Sequence, residues 1–111
     1  MSLSTHVLDT AGGAPAVGVP VRVERDTGDG DWVEVARGET DDDGRIADLV
    51  PGDLEPGPWR ITFDSGTWFA DQGTTTFWGD IVVAFVVADP AAHHHVPLLL
   101  SPFGYSTYRG S

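Results

Sequence analysis

The chain of 111 residues contains no cysteine, which excludes disulfide bonds, cysteine-ligated zinc and thiol chemistry. A chain without cysteine fits a reducing cytosol. Basic residues are also few. Six arginines and lysines stand against 17 aspartates and glutamates, so the net charge is −11 and the sequence pI about 4.3. Because such a surface repels phosphate groups, neither nucleic acid nor an anionic membrane is an expected partner.

Long hydrophobic runs are missing as well. The longest, Ile81–Ala88, is far shorter than the ~20 residues that a membrane-spanning helix needs. Met1–His6 lacks the basic start and apolar core of a signal peptide. Arg109–Ser111 is not a peroxisomal targeting signal. We therefore expect a soluble cytoplasmic protein, with residues 1–111 forming one domain.

Fourteen glycines and eight prolines, spread along the chain, leave little room for long helices. The segments between them alternate apolar and polar residues, which is typical of half-buried strands. Ile81–Ala88 is apolar on both faces and is therefore predicted to be a central strand. A short helix is predicted at Thr67–Gln72, ending at Gly73. Seven or eight short strands joined by turns indicate an all-β sandwich.

The last nineteen residues hold three of the four histidines, His93, His94 and His95. Alternation along a strand places His93 and His95 on one face and His94 on the other. A single histidine is most often an ordinary hydrogen-bonded side chain, but three in a row, together with His6, suggest an imidazole that acts near neutral pH. A His-x-His pair with a distant histidine can also hold catalytic zinc, so His6, His93 and His95 form an alternative metal site.

Arg45 follows a strongly acidic turn, Asp41-Asp42-Asp43-Gly44. On composition alone the simplest interpretation of Arg45 is a surface ion pair, which contributes little to stability. A functional interpretation is that the turn positions Arg45. The acidic loops are expected on the outer surface.

Several segments of the chain form recognisable motifs: Leu3–Thr10 with Gly13–Ala16, Thr40–Arg45, Arg60–Asp64, the His-x-His-Val-Pro-Leu-Leu-Leu-Ser-Pro run at 93–102, and Tyr108–Ser111. They resemble motifs of the 5-hydroxyisourate hydrolases, also called transthyretin-related proteins, and the resemblance covers nearly the whole chain. The closing tetrapeptide, Tyr108–Ser111, separates these hydrolases from the hormone-carrying transthyretins.

This resemblance implies a transthyretin-like β-sandwich of two four-stranded sheets with one short helix. It implies a homotetramer, built as a dimer of dimers, with active sites in the channel where the dimers meet. The implied reaction is hydrolysis of 5-hydroxyisourate to 2-oxo-4-hydroxy-4-carboxy-5-ureidoimidazoline in urate breakdown, with no metal and no organic cofactor. A transthyretin-like carrier of a small ligand remains the alternative from another functional class.

The resemblance also implies the site residues. His6 and His95 would activate water as a pair, and Arg45 would hold the substrate and the developing negative charge. Further substrate contacts would come from the closing tetrapeptide, at Tyr108, Arg109 and Ser111. The sequence departs from the usual pattern at two positions: His94 replaces a tyrosine and Gly79 replaces a proline. Neither departure removes an implied catalytic residue.

Overall fold

The structure is a computed structural model that describes residues 2–111. Within this range the chain forms nine strands and one helix, which confirms the predicted all-β architecture with one short helix. The elements in chain order are β1 (Leu3–Asp9), β2 (Ala14–Pro15), β3 (Pro20–Asp26), β4 (Trp32–Glu39), β5 (Arg45–Val50), β6 (Gly57–Phe63), α1 (Ser65–Asp71), β7 (Ile81–Val87), β8 (His94–Ser101) and β9 (Gly104–Thr107).

The strands form two sheets, one with the order β2-β1-β8-β9 and the other with the order β4-β3-β6-β7. The first sheet has five strands rather than the expected four, because β5 pairs with the same edge of β1 as β2 does. β5 pairs with the first part of β1, and the two-residue β2 pairs with the last part of β1. β1 and β8 run parallel, whereas the other strand pairs in the described chain are antiparallel.

The core lies between the two sheets and is built by the alternation seen in the sequence. Each strand turns every second side chain inward, so its apolar positions are removed from water together. The fully buried members include Leu3, Val7, Ile61, Phe63, Leu98 and Leu100. Some outward positions of the first sheet carry polar side chains, among them Ser4 and His6 on β1.

The prediction that Ile81–Ala88 forms a central strand is wrong. β7 lies at the edge of the second sheet and pairs only with β6 among the described residues. Its inward residues Ile81, Val83 and Val87 are buried, but Val82 and Val86 on the other face are exposed. An apolar run indicates that both faces of the strand suit an apolar environment. In β7 the rest of the described chain buries one face and leaves Val82 and Val86 on the other face exposed.

The short helix α1 forms where the sequence indicates one, although it starts two residues earlier than predicted. Its Phe69 is buried against the core. Gly73, at φ +68°, donates its N–H to the Ala70 carbonyl at 3.0 Å, which confirms the expected glycine stop. No helix within residues 2–111 is long and apolar enough to cross a membrane.

Gly44 is the glycine on which the fold depends most. Its φ is +75°, and an added Cβ would collide with the Val7 carbonyl oxygen while lying 3.1 Å from Pro15 Cβ. We expect Gly44→Ala to lower the free energy of unfolding by about 2–4 kcal/mol, measured by urea denaturation. Gly13→Ala is the matched control, because Gly13 also has a positive φ but nothing lies within 4 Å of its added Cβ. Equal losses in both variants would contradict the steric argument.

Candidate active site

Strand pairing brings three distant segments to the outer face of the first sheet. Across the antiparallel pair of β1 and β5, His6 lies opposite Arg45. Across the parallel pair of β1 and β8, Ser4 lies opposite His95 and His6 lies opposite Pro97. Because alternate residues of a strand share a face, Ser4, His6 and His95 point to the same side of the sheet.

Ser4 is the residue that connects the histidines, and it was not predicted from the sequence. Its Oγ lies 2.7 Å from His95 Nδ1 and 3.0 Å from His93 Nε2. Both rings therefore meet one hydroxyl, which confirms that His93 and His95 share a face. His94 turns to the other side, where it is buried and its ring packs 6.4 Å from that of Phe85, between centroids.

His6 is oriented by the acidic turn. Its Nε2 lies 3.0 Å from the Asp43 carbonyl oxygen. Since a carbonyl can only accept, Nε2 carries the ring proton in the neutral form and the lone pair resides on Nδ1. The turn is exposed, as expected for an acidic loop, but it adjoins the candidate site rather than lying away from it.

The same turn fixes the start of β5 and with it Arg45. The Asp41 carboxylate accepts the backbone N–H groups of Asp43 and Arg45, both at 2.9 Å. No carboxylate of residues 2–111 lies within ion-pair distance of the Arg45 guanidinium, whereas Arg22, Arg37 and Arg60 each pair with one. The surface ion-pair interpretation of Arg45 is therefore wrong, and its exposed cation is available to an anion.

Two cavities meet at His95. The first has a volume of about 200 Å³, and Arg45, His93, His95 and Ser111 lie in its wall together with Ser4. The second has a volume of about 220 Å³ and lies between β7 and the end of the chain. The predicted site residues are thus divided. Arg45, His95 and Ser111 share the first cavity, Tyr108 and Arg109 line the second with His94 and His95, and His6 stands beside the first.

The surroundings of His95 favour a neutral imidazole. Burial of the ring lowers its pKa below the usual value, and the charges of His93, Arg45 and His6 act in the same direction. A backbone hydrogen bond to Ser4 opposes them by raising the pKa. Since the lowering causes prevail, the His95 ring is unprotonated at neutral pH and can accept a proton.

The zinc alternative requires three histidines to converge, and the described side chains do not provide this arrangement. No group of three or more histidines, aspartates or glutamates within residues 2–111 is placed to hold a metal ion. The nitrogens His93 Nε2 and His95 Nδ1 both face the Ser4 hydroxyl, and His6 Nε2 is occupied by the Asp43 carbonyl.

A larger open depression, about 330 Å³, lies on the outer face of the second sheet. Its arginines, Arg22 and Arg37, are paired with carboxylates, and no histidine lines it. With its arginines paired and no imidazole in its lining, this depression lacks the combination of groups found in the smaller cavity at His95.

The comparisons with known proteins show which family the chain is similar to. The model of the HIUase/Transthyretin family matches residues 3–110. The 5-hydroxyisourate hydrolase of Caulobacter vibrioides is 48% identical, covering 98% of this chain and 97% of that protein. The solved Klebsiella pneumoniae 5-hydroxyisourate hydrolase is 38% identical, with a TM-score of 0.88 and full coverage of both chains. Sea bream transthyretin, solved in complex with thyroxine, is 35% identical, with a TM-score of 0.93 and coverage of 99% and 95%.

The two-sheet sandwich described above thus recurs in solved relatives. The chain belongs to the HIUase/Transthyretin family. This membership confirms the transthyretin-like fold expected from the sequence motifs.

Proposed function

We propose that this protein is a 5-hydroxyisourate hydrolase, an enzyme of purine catabolism. The observation that carries the proposal is the cavity at His95, where a neutral imidazole and an unpaired guanidinium face the same 200 Å³ space. Relatives with the hydrolase name match the chain from end to end. Sea bream transthyretin has the same fold, so the fold alone does not distinguish a hydrolase from a carrier, and the side chains of the site must do so.

The chemistry required is the opening of a ring by water. The water oxygen bonds to a ring carbonyl carbon, the adjacent carbon–nitrogen bond breaks, and the proton taken from water is returned to the departing nitrogen. His95, with His6 as its partner, would accept that proton. General base catalysis of this kind typically accelerates a reaction by a factor of ~10²–10⁴. Arg45 would pair with the anionic substrate and hold the charge that develops on the carbonyl oxygen.

The end of the chain would complete the substrate site. Ser111 lies in the same cavity as Arg45, and Tyr108 and Arg109 lie on the other side of His95. We propose that these three residues contact the substrate.

Residues 1–111 are proposed to act as one domain. The cytoplasmic location stays a prediction.

The proposed assembly is a homotetramer, a dimer of dimers. In the single chain Phe77, Val86 and Phe103 are each about 70% exposed, which is unusual for large apolar side chains. The edge strands β7 and β9 are open on the same side of the sandwich. Both features suit a surface that is covered by other copies of the chain.

Consumption of freshly generated 5-hydroxyisourate, followed by ultraviolet absorbance, tests the function directly. Purified protein should accelerate the decay of the absorbance well above the spontaneous rate, in proportion to enzyme concentration and without added metal. A correctly folded and assembled protein that leaves the decay unchanged would overturn the hydrolase proposal and favour the small-ligand carrier.

The pH dependence of kcat/KM should reflect the lowered pKa of His95. Because the unprotonated ring is the active form, activity should persist as the pH falls through ~6.5, the ordinary histidine pKa, and decline only below it. Arg45→Gln removes one of the charges that lower this pKa, so the acid limb of the profile should move to higher pH. Arg37→Gln, on the other sheet, is the control and should leave the limb in place. A limb that Arg45→Gln does not move would contradict this explanation.

A further inference from the structure

We propose that Ser4 and Gly110 are positioning residues that hold the His95 ring in a single orientation and tautomer. Ser4 would accept a hydrogen bond from His95 Nδ1–H and donate its own proton to His93 Nε2. The lone pair of His95 would then reside on Nε2. The inference deepens the proposed function: the choice of tautomer rests on His95 acting as a base, and the measurement of that tautomer needs no substrate.

The first part of the argument is the proton count on Ser4. The Oγ lies within hydrogen-bond distance of two ring nitrogens but has a single proton, so it donates to one ring and accepts from the other. Of the two arrangements, only the one in which the Ser4 hydroxyl accepts from His95 Nδ1–H leaves the lone pair of His95 on Nε2, where a base for the proposed reaction needs it.

The second part is the contact at the opposite edge of the ring. Gly110 pairs with His95 as an isolated antiparallel bridge and donates its N–H to the His95 carbonyl at 2.8 Å. A Cβ on Gly110 would collide with His95 Cδ2 and lie 3.1 Å from Cγ. The φ of Gly110 is outside the left-handed region, so the backbone itself would accept alanine. The absence of a side chain at position 110 is what leaves room for the ring.

Together the two residues restrict rotation of the imidazole. Ser4 holds the Nδ1 edge and the Gly110 backbone packs along the Cδ2 edge, so Nε2 and Cε1 are the ring atoms left for a reactant. In free histidine the neutral ring prefers the proton on Nε2, which would place a donor where a base is required. A serine hydroxyl that accepts at Nδ1 reverses that preference in the same way as the orienting group of a catalytic histidine.

The direct test is ¹⁵N NMR of histidine-labelled protein at neutral pH, which reports the tautomer without any substrate. In the wild type, His95 should be neutral with its proton on Nδ1. Ser4→Ala should shift the ring toward the Nε2–H tautomer, whereas Ser4→Thr, which keeps the hydroxyl, should retain the wild-type pattern. Thr10→Val is the matched control, because Thr10 Oγ1 also bonds β1 to β8, at the Leu100 carbonyl, away from the histidines.

The kinetic test uses the same variants with 5-hydroxyisourate. Ser4→Ala should lower kcat about ten-fold, the worth of one oriented hydrogen bond, with little change in KM. Gly110→Ala should cause a comparable loss, because its Cβ would displace the His95 ring. Ser4→Thr should recover most of the rate, and Thr10→Val should keep it.

The outcomes separate the two proposals. An Nε2–H tautomer in the wild type, or an unchanged tautomer and kcat in Ser4→Ala, would overturn the positioning role. An inactive wild type whose tautomer still depends on Ser4 would overturn the hydrolase proposal and leave the positioning role standing.

Discussion

Replacing His95 with asparagine is expected to lower the turnover of 5-hydroxyisourate at least ~100-fold, because the amide cannot accept a proton from water. The amide nitrogen of asparagine reaches the region that Nδ1 occupies and can still bond Ser4, so the local packing is largely kept. The ring is only partly buried, and its loss removes no member of the apolar core. The effect should therefore appear in kcat rather than in the melting temperature.

His94→Tyr is the control for this experiment. His94 is adjacent in sequence but faces the opposite side of the sheet, where its Nδ1 is buried without a hydrogen-bond partner among the described residues. Tyrosine is also the residue that the family usually has there. The His94→Tyr variant should keep a turnover within a few-fold of the wild-type value. Near-normal rates in His95→Asn, measured on folded and assembled protein, would remove His95 from the catalytic assignment.

Deleting Tyr108–Ser111 is expected to abolish activity while the sandwich stays folded. These residues follow the last strand, and none of them is buried. They are attached to the sheet by the backbone bridge between Gly110 and His95. Yet they line both cavities at the site and include the glycine that packs against the catalytic ring. The deletion should therefore abolish activity without lowering the stability of the fold.

The deletion is assayed beside a variant that keeps Gly110 and carries Tyr108→Ala, Arg109→Ala and Ser111→Ala. If substrate contacts by the side chains matter most, this variant should lose nearly as much activity as the deletion. Circular dichroism and the urea midpoint should stay close to wild type in both proteins. A truncated chain that no longer folds would show that the tetrapeptide is mainly structural.

Much of the fold could be predicted from the alternation of apolar residues. β3 and β6 were readable because each turns an apolar face inward, with Val21 and Val23 in β3 and with Trp59, Ile61 and Phe63 in β6. β7 was misplaced because periodicity records how apolar each face is, but not what covers it. Val82 and Val86 are apolar, as in a covered strand, but they are exposed because no other strand within residues 2–111 packs over them.

The site was only partly predictable. Arg45, His6 and His95 were named from the motifs, but their proximity depends on the register of β1 with β5 and β8, which no spacing along the chain reveals. Ser4 was missed because a lone serine has no distinctive signal. Its one clue was its place two residues before His6, on the same strand face. The division of Tyr108, Arg109 and Ser111 between two cavities depends on the path of the last residues over the sheet.

The parallel pairing of β1 with β8 also determines when the site forms during folding. Ser4 and His95 are 91 residues apart, so almost the whole chain must be present before their hydrogen bond can exist. Such distant contacts raise the contact order and slow folding, because the entropy of closing a long loop is lost before the contact is gained. On the ribosome, β1 can pair with β2 and β5 before β8 has been made. The reactive histidine reaches its partners only after β8 has been synthesised, and a nascent chain that stops before β8 has no active site.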